Sequence, residues 1–163
     1  MMLRAATSND AGAIAAIYNH YVATSSITFE ESPVPVDDMA RRIEEVGASL
    51  PWYVAEENGA LLGYAYATPW RARSAYRYSV ESTVYVSPAH ARRGVGTQLY
   101  GALLAELRAR GLRVVLGGIA QPNVASVTLH ERLGFEKVAH FKQVGQKFGQ
   151  WIDVGYWELL LEQ

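Results

Sequence analysis

The chain has 163 residues, a formal net charge of -1 and 50% hydrophobic residues, values typical of one globular domain, which we expect over residues 1–163. The near-neutral charge excludes an extended basic surface for nucleic acid, and the lack of a signal segment or of any run near ~18 apolar residues predicts a cytoplasmic protein without a membrane partner. The sequence contains no cysteine, which excludes disulfides and a covalent acyl-cysteine intermediate, and its four histidines lack the spacing of metal ligands, so no metal is expected.

Short strands alternate with helices along the chain, a pattern that favours an α/β fold with a mixed sheet covered by helices. In chain order the predicted elements are a strand at 3–6, a helix carrying residues 14–21, a helix at 36–46, strands at 52–56, 61–68 and 80–86, a helix at 97–110, a strand at 113–119, a short helix at 124–132, a strand from 135 and a last strand at 151–161.

Local signals mark several boundaries of these elements. Thr7 and Asp10 have the spacing of a capping box before the first helix. Gly47 is expected to end the second helix in the left-handed conformation, as Gly111 is expected to end the long one. The pair 58–59, Asn-Gly, predicts a tight hairpin because both residues tolerate positive φ.

The segment RRGVGT at 92–97 stands where a strand ends and the long helix begins. A first helical turn presents unpaired N–H groups and about half a positive charge, which together hold a diphosphate. Its glycines remove Cβ atoms that would block a phosphate, and its arginines add charged donors. Leu99 stands where the dinucleotide-binding fingerprint G-x-G-x-x-G has its third glycine, so the segment does not match that fingerprint. Taken alone, the segment is also compatible with a tight turn carrying solvent-exposed arginines. The candidate contacts are Arg92, Arg93, Gly94, Val95, Gly96 and Thr97.

This arrangement of strand, RRGVGT, helix and strand resembles the acetyl-coenzyme A site of the GNAT superfamily of N-acetyltransferases. A second block fits the family pattern N-x-x-[AS]-x-x-x-Y-x-x-x-G-F with histidine in the tyrosine position, at Asn123, Ser126, His130, Gly134 and Phe135. The segments PWRARSAY at 69–76 and VESTVYVSP at 80–88 are similar to phosphinothricin and methionine sulfoximine acetyltransferases. The resemblance spans residues 4–161 and implies a mostly antiparallel sheet flanked by helices, acetyl-coenzyme A as co-substrate and a possible homodimer.

An amine that attacks a thioester must first lose a proton, so the reaction needs a base. Strand alternation at 80–86 places Glu81, Thr83 and Tyr85 on one face. The resemblance implies that this face lines the acceptor pocket and that Glu81 is the base, acting directly or through water. Apolar surroundings would raise its pKa into a useful range. Judged from the residues alone, a strand carboxylate paired to an arginine is the alternative.

A polar loop supplies candidate anion ligands, because a guanidinium binds a carboxylate or phosphinate through two parallel hydrogen bonds. A solvated loop face is the alternative, and packing competes with substrate contact for the aromatic residues. By resemblance, the expected acceptor contacts are Phe29, Arg71, Arg73, Tyr76, Arg77, Glu81 and Tyr85.

The departing thiolate needs a proton, and the resemblance implies that His130 supplies it in place of the family tyrosine. Asn123 is expected to contact the pantetheine arm, to cap its helix, or both. By resemblance the arm lies beside strand 80–86, so the remaining coenzyme contacts expected are Val84, Tyr85, Val86 and Ser126.

These features predict transfer of acetyl from acetyl-coenzyme A to the amine of a small amino-acid-like acceptor such as phosphinothricin, without an acyl-enzyme. The nearest alternative is methionine sulfoximine or sulfone as the acceptor. More distant alternatives are an enzyme that acetylates protein amines and an acyl-coenzyme A sensor without catalytic activity.

Overall fold

A computed structural model describes residues 1–162 and contains four α-helices and a seven-stranded sheet. The helices are α1 (Ala11–Thr24), α2 (Val36–Gly47), α3 (Val95–Ala109) and α4 (Val124–Arg132). The strands are β1 (Met2–Ala5), β2 (Trp52–Glu57), β3 (Ala60–Pro69), β4 (Ser79–Val86), β5 (Val114–Ala120), β6 (Glu136–Lys147) and β7 (Gln150–Leu160). Every element expected from the sequence is present, with ends that differ by one to a few residues.

The strand order is β1-β2-β3-β4-β5-β7-β6, and every neighbouring pair is antiparallel except β4 and β5. This confirms the expected mixed, mostly antiparallel sheet. The parallel pairing of β4 with β5 runs only from Ser79 opposite Val114 to Glu81 opposite Leu116. Beyond that point the two strands have no paired residues, although both continue for several more. A wedge-shaped opening therefore interrupts the middle of the sheet.

Two apolar cores lie on opposite faces of the sheet, because adjacent strand residues point to opposite sides. Ala55 of β2 packs in the core beneath α3, whereas its neighbour Val54 packs in the core beneath α1 and α2. The predicted apolar face of α3, formed by Leu99, Leu103 and Leu107, is completely buried. The helices thus pack on both faces of the sheet and support the strands on either side of the opening.

The local signals for element ends are confirmed in three of four cases. The Asp10 carboxylate accepts a hydrogen bond from the Thr7 N–H at 2.8 Å, and the hairpin residues Asn58 and Gly59 have φ values of 52° and 81°. Gly111 has the left-handed φ of 82°.

The expected left-handed cap at Gly47 is wrong. Gly47 is the last residue of α2, and the residue after it, Ala48, keeps a right-handed φ of -66°. Instead of reversing, the chain continues in a turn in which the Leu50 N–H donates to the Val46 carbonyl at 2.9 Å. Those backbone bonds satisfy the helix end without positive φ, so the glycine is not needed for capping.

None of the helices within residues 1–162 combines the length and the apolar character that a membrane-spanning segment requires.

Candidate active site

A cavity of about 710 Å³ lies at the opening between β4 and β5. Its wall combines the separated parts of β4 and β5 with side chains from α1, α3, α4, the α1–α2 connection and the β6–β7 hairpin. Of the side chains proposed from the sequence, it includes Phe29, Arg71, Glu81, Val84, Tyr85, Asn123, Ser126 and His130. The structure therefore gathers residues from both halves of the chain around one space.

Glu81 is the residue of β4 at which pairing with β5 ends. Burial raises the pKa of its carboxyl above the ordinary value, and the positive charge of Arg71 opposes this only in part. Among the described residues, no side chain hydrogen bond contributes to that pKa. The structure therefore does not show the alternative left open above, in which Glu81 is an ordinary strand carboxylate paired to an arginine. Glu81 presents an unpaired carboxylate to the cavity, as a proton acceptor requires.

The residues of the arginine loop between β3 and β4 lie in two different environments. Arg71 lines the cavity and its guanidinium lies over the ring of Trp70, 4.8 Å from the centroid. Arg73, Tyr76 and Arg77 are exposed and lie outside the cavity wall of the single chain. Of the four predicted acceptor contacts in this loop, only Arg71 is brought to the cavity.

Aromatic side chains that the sequence did not single out form much of the wall. They are Tyr18, Tyr66, Trp70 and Tyr156. Tyr85 meets Tyr18 edge to face, with ring centroids 5.3 Å apart. Regularly spaced aromatics in strands and helices normally belong to a core, so their spacing carried no signal for a pocket.

The α1–α2 connection closes one side of the cavity through Phe29 and Thr28. A Cβ built on Gly145 of β6 would collide with the Phe29 ring in its present position, so the glycine lets the ring lie this close to the strand. The ammonium of Lys147, which is 2% exposed, donates to the Thr28 carbonyl at 2.8 Å. The connection is therefore held against β6 at two consecutive residues, Thr28 and Phe29.

The predicted phosphate contacts lie outside this cavity, at the N-terminus of α3. Gly94 is the N-cap residue with a φ of 76°, and no side chain caps the helix. The first helical hydrogen bond runs from the Gln98 N–H to the Gly94 carbonyl, which leaves the N–H groups of residues 95–97 without intrahelical partners. A Cβ on Gly96 would lie 3.3 Å from Leu129 and 3.7 Å from Val86. The turn thus presents backbone donors close to the end of β4.

The two arginines of this turn differ. Arg93 donates to the Glu57 carboxylate at 2.7 Å, so it is already paired with the last residue of β2. Arg92 has a left-handed φ of 66° and is exposed. Val95 is buried, which leaves only its backbone N–H to face outwards, and Thr97 is exposed.

The backbone of β4 also contributes polar groups to the opening. The Ser79 carbonyl accepts from the Trp70 N–H just after β3, and the Ser87 N–H donates to the Leu62 carbonyl of β3. Because backbone groups alternate in direction along a strand, the odd-numbered residues between 79 and 87 also point their N–H and carbonyl groups toward β3. The N–H and carbonyl groups of Val84 and Val86 therefore point toward β5, where no strand pairs with them. The Tyr21 hydroxyl donates to the Val86 carbonyl, whereas the N–H of Tyr85 faces β3.

His130 of α4 is 4% exposed and lies at the inner end of the opening. Its Nδ1 is 2.7 Å from the Ser126 carbonyl, and its Nε2 is 2.7 Å from the hydroxyl of Tyr100. Burial lowers the pKa of this imidazole, so it is neutral at physiological pH. Asn123 caps α4 by accepting from the Ser126 N–H at 3.2 Å, one of its two expected roles.

The fold and the site together define an acetyltransferase. A family model described as an acetyltransferase (GNAT) domain matches residues 3–155, and the chain belongs to this family.

Individual relatives narrow the comparison. The chain is 43% identical over 156 residues to a phosphinothricin N-acetyltransferase of Streptomyces viridochromogenes, covering 96% of this chain and 85% of the relative. It is 39% identical over 164 residues to an L-methionine sulfoximine/L-methionine sulfone acetyltransferase of Salmonella typhimurium, covering 100% and 96%. A phosphinothricin acetyltransferase of Sinorhizobium meliloti, solved in complex with acetyl-coenzyme A, superposes with a TM-score of 0.94 at 36% identity, covering 98% of this chain and 88% of that one.

Proposed function

We propose that this chain transfers the acetyl group of acetyl-coenzyme A to the amino group of a small amino-acid-like acceptor such as phosphinothricin. The observation that carries the proposal is the Glu81 carboxylate, unpaired and partly buried where β4 leaves β5. A carboxylate with a raised pKa is a stronger proton acceptor, which suits it to take a proton from an ammonium group. The two groups of relatives, which act on phosphinothricin or methionine sulfoximine, support an acceptor of this size.

Acetyl-coenzyme A fits the groups available at the opening. The N–H groups at the start of α3 suit its diphosphate, with Arg92 and Arg93 as additional donors. The Val84 backbone and the Val86 N–H, which β5 leaves unpaired, suit the amide-bearing pantetheine arm, which would replace β5 as a hydrogen-bonding partner. A free N–H in this stretch is also placed to stabilise negative charge on the thioester oxygen.

The acceptor would occupy the side of the cavity walled by Phe29, Tyr85 and Arg71. Arg71 provides the positive charge nearest to Glu81 and would bind an acidic group of the acceptor. Arg73, Tyr76 and Arg77 remain proposed contacts, and their exposed positions require the loop or a neighbouring molecule to bring them to the acceptor.

Methionine sulfoximine and methionine sulfone form the second candidate acceptor class, favoured by a relative whose match covers 100% of this chain. A thiol-release assay with acetyl-coenzyme A tests both candidates against ordinary amino acids and a peptide with a free N-terminus. We expect the highest kcat/KM for phosphinothricin or methionine sulfoximine. Preference for the peptide would contradict a small-molecule acceptor, and coenzyme binding without thiol release would indicate a sensor.

We further propose a homodimer that works in the cytoplasm, where acetyl-coenzyme A is available. The β6–β7 hairpin exposes five large apolar side chains, here called the hairpin patch: Phe148 and Trp151, and also Val138, Phe141 and Val144, which line the cavity as well. Trp151 is 63% exposed, and a patch of this kind commonly marks a protein interface. Sedimentation equilibrium should show a dimer for the natural chain and a monomer for Trp151→Glu. A monomer for both would contradict the dimer.

A further inference from the structure

Three buried side chains from different elements form one chain of hydrogen bonds beneath the opening. The Ser82 hydroxyl of β4 is 2.6 Å from the Tyr100 hydroxyl of α3, which is 2.7 Å from Nε2 of His130 on α4. Their exposed fractions are 6%, 0% and 4%. Because water has little access to these groups, each must find its hydrogen-bond partners within the protein.

The direction of these hydrogen bonds follows by elimination. The Ser126 carbonyl only accepts, so the nearby Nδ1 of His130 must carry hydrogen. In a neutral imidazole the other nitrogen, Nε2, then has none and accepts from the Tyr100 hydroxyl. Since Tyr100 has used its one hydrogen, it accepts from the Ser82 hydroxyl at 2.6 Å, because the other acceptor near that hydroxyl, the Leu116 carbonyl, is 3.5 Å away. Both hydroxyl hydrogens in the chain therefore point toward His130.

This row of hydrogen bonds reaches the cavity. Ser82 follows Glu81, the last β4 residue paired with β5, and Ser82, Tyr100 and His130 all line the cavity. The imidazole is held in place, because a Cβ on Gly117 of β5 would lie 2.8 Å from its Nε2. A fixed row of groups thus leads from the point where the strands separate to a buried histidine.

In this tautomer His130 has no hydrogen to give directly to a thiolate. Its Nδ1–H is taken up by the Ser126 carbonyl, and its Nε2 lone pair is taken up by Tyr100. The resemblance implied direct donation by His130, and the geometry points to a different route through Tyr100 and Ser82.

We propose that Ser82, Tyr100 and His130 form a proton relay that stores the second proton of the acceptor amine and returns it to the leaving sulfur. This role rests on the acetyl transfer proposed above, in which Glu81 removes the first proton. The relay requires Ser82, which lines the cavity, to be the member that contacts the reacting groups, whereas Tyr100 and His130 act through it as positioning residues.

The relay ends each reaction cycle unchanged. Once the acceptor nitrogen has bonded to the acetyl carbon, its excess proton passes to the Ser82 oxygen. The Ser82 hydrogen moves to Tyr100 and the Tyr100 hydrogen moves to His130 Nε2. When the carbon–sulfur bond breaks, its electron pair stays on sulfur. The three transfers then reverse, and sulfur receives a proton from Ser82.

The environment of each member suits its part in the relay. Burial lowers the pKa of His130, so its imidazolium readily yields a proton to a thiolate, whose conjugate thiol has a reference pKa of about 8.5. Burial raises the pKa of Tyr100, which makes the hydroxyl a weak acid by itself. Tyr100 is therefore suited to passing a proton on but not to supplying one.

Tyr100→Phe breaks the relay while keeping the buried ring. We expect kcat to fall at least about tenfold with KM for acetyl-coenzyme A nearly unchanged. We also expect the solvent deuterium isotope effect to change from a curved proton inventory, with several protons in motion, to a linear one. The matched control is Tyr64→Phe, at a tyrosine that is 1% exposed and does not line the cavity. A Tyr100→Phe enzyme with the natural kcat and a curved inventory would overturn the relay.

Two further measurements guard against a folding defect and a wrong acceptor. Ser82→Ala interrupts the chain at its other end and should also lower kcat and give a linear inventory. Nitrogen-15 NMR of the natural enzyme should show His130 with hydrogen on Nδ1, and hydrogen on Nε2 would refute the proposal without any acceptor. If the natural enzyme releases no thiol with any amine of the panel, the acceptor class fails, whereas turnover unaffected in both variants defeats the relay alone.

Discussion

At the N-terminus of α3 the candidate coenzyme contacts are consecutive residues, 92–97, and most of them lie at the surface. The cavity beside Glu81 instead collects side chains from helices, strands and connections throughout the chain, and several of its polar groups are buried. In the proposed function the first region acts mainly through backbone N–H groups in a particular conformation. In the same proposal the second region acts through side chains whose pKa values are shifted by burial. Changes in the first should therefore alter affinity, and changes in the second should alter rate.

The largest expected effect tests the cavity. Glu81→Gln keeps the shape of the side chain and removes the proton acceptor, so kcat at pH 7 should fall by at least about 100-fold. Acetyl-coenzyme A affinity, measured by calorimetry, should stay within about twofold because the proposed diphosphate contacts lie elsewhere. Unchanged turnover would remove Glu81 from the mechanism, and a large loss of affinity would erase the contrast between the two regions.

The next effect tests the turn before α3. Gly94→Ala places a Cβ on a residue with a φ of 76°, which should cost about 1 kcal/mol of stability and weaken acetyl-coenzyme A binding about tenfold. Gly111→Ala is the matched control, since Gly111 has a φ of 82° at the other end of the same helix. It should lose similar stability and keep its affinity in calorimetry. Equal affinity losses in both variants would mean that strain, and not the phosphate cradle, is being measured.

A site remote from both regions tests whether the stability of the fold can be changed without changing the activity. The Asp10 carboxylate accepts a hydrogen bond from the Thr7 N–H and two from the Arg4 guanidinium, at 2.9 and 2.8 Å. The substitution Asp10→Asn should therefore lower the free energy of unfolding, measured with urea, by about 1 kcal/mol. The Arg4 guanidinium lowers the pKa of Asp10, so the contribution is complete above the ordinary aspartate value and is lost as pH falls through the lowered one. Asp38→Asn, at an exposed ion pair, is the control and should cost under about 0.5 kcal/mol. A change in kcat for Asp10→Asn would show that the two properties are not separate.

The smallest expected effect returns to Glu81 and concerns stability. Its folded pKa is raised, so the protein holds this proton more tightly when folded, and ionisation destabilises the fold as pH rises through the raised value. Glu81→Gln should therefore raise the melting temperature slightly at pH 8, and the gain should disappear toward pH 4. A lower melting temperature at pH 8 would mean that the carboxylate is stabilised by partners and is not free to act as a base.

Much of the fold was predictable because its signals are local. Hydrophobic spacing located every helix and strand, and Asn58 with Gly59 indicated the hairpin that the φ values confirm. The cap at Gly47 failed because a glycine permits a left-handed turn without requiring one, and the following backbone bonds made it unnecessary. No role was predicted for Tyr100, since the position of a tyrosine in a helix says nothing about the partner of the hydroxyl at its tip.

By itself the sequence determined the elements, the glycine-rich turn before α3 and the membership in a family of acetyltransferases, because each depends on residues near one another in the chain or on a pattern of fixed spacing. Only the tertiary structure decided where β4 leaves β5, that Arg71 reaches the cavity while Arg73 does not, and that Ser82 and Tyr100 meet His130. Those contacts join elements far apart in sequence, and their geometry is set by how the helices pack on the two faces of the sheet.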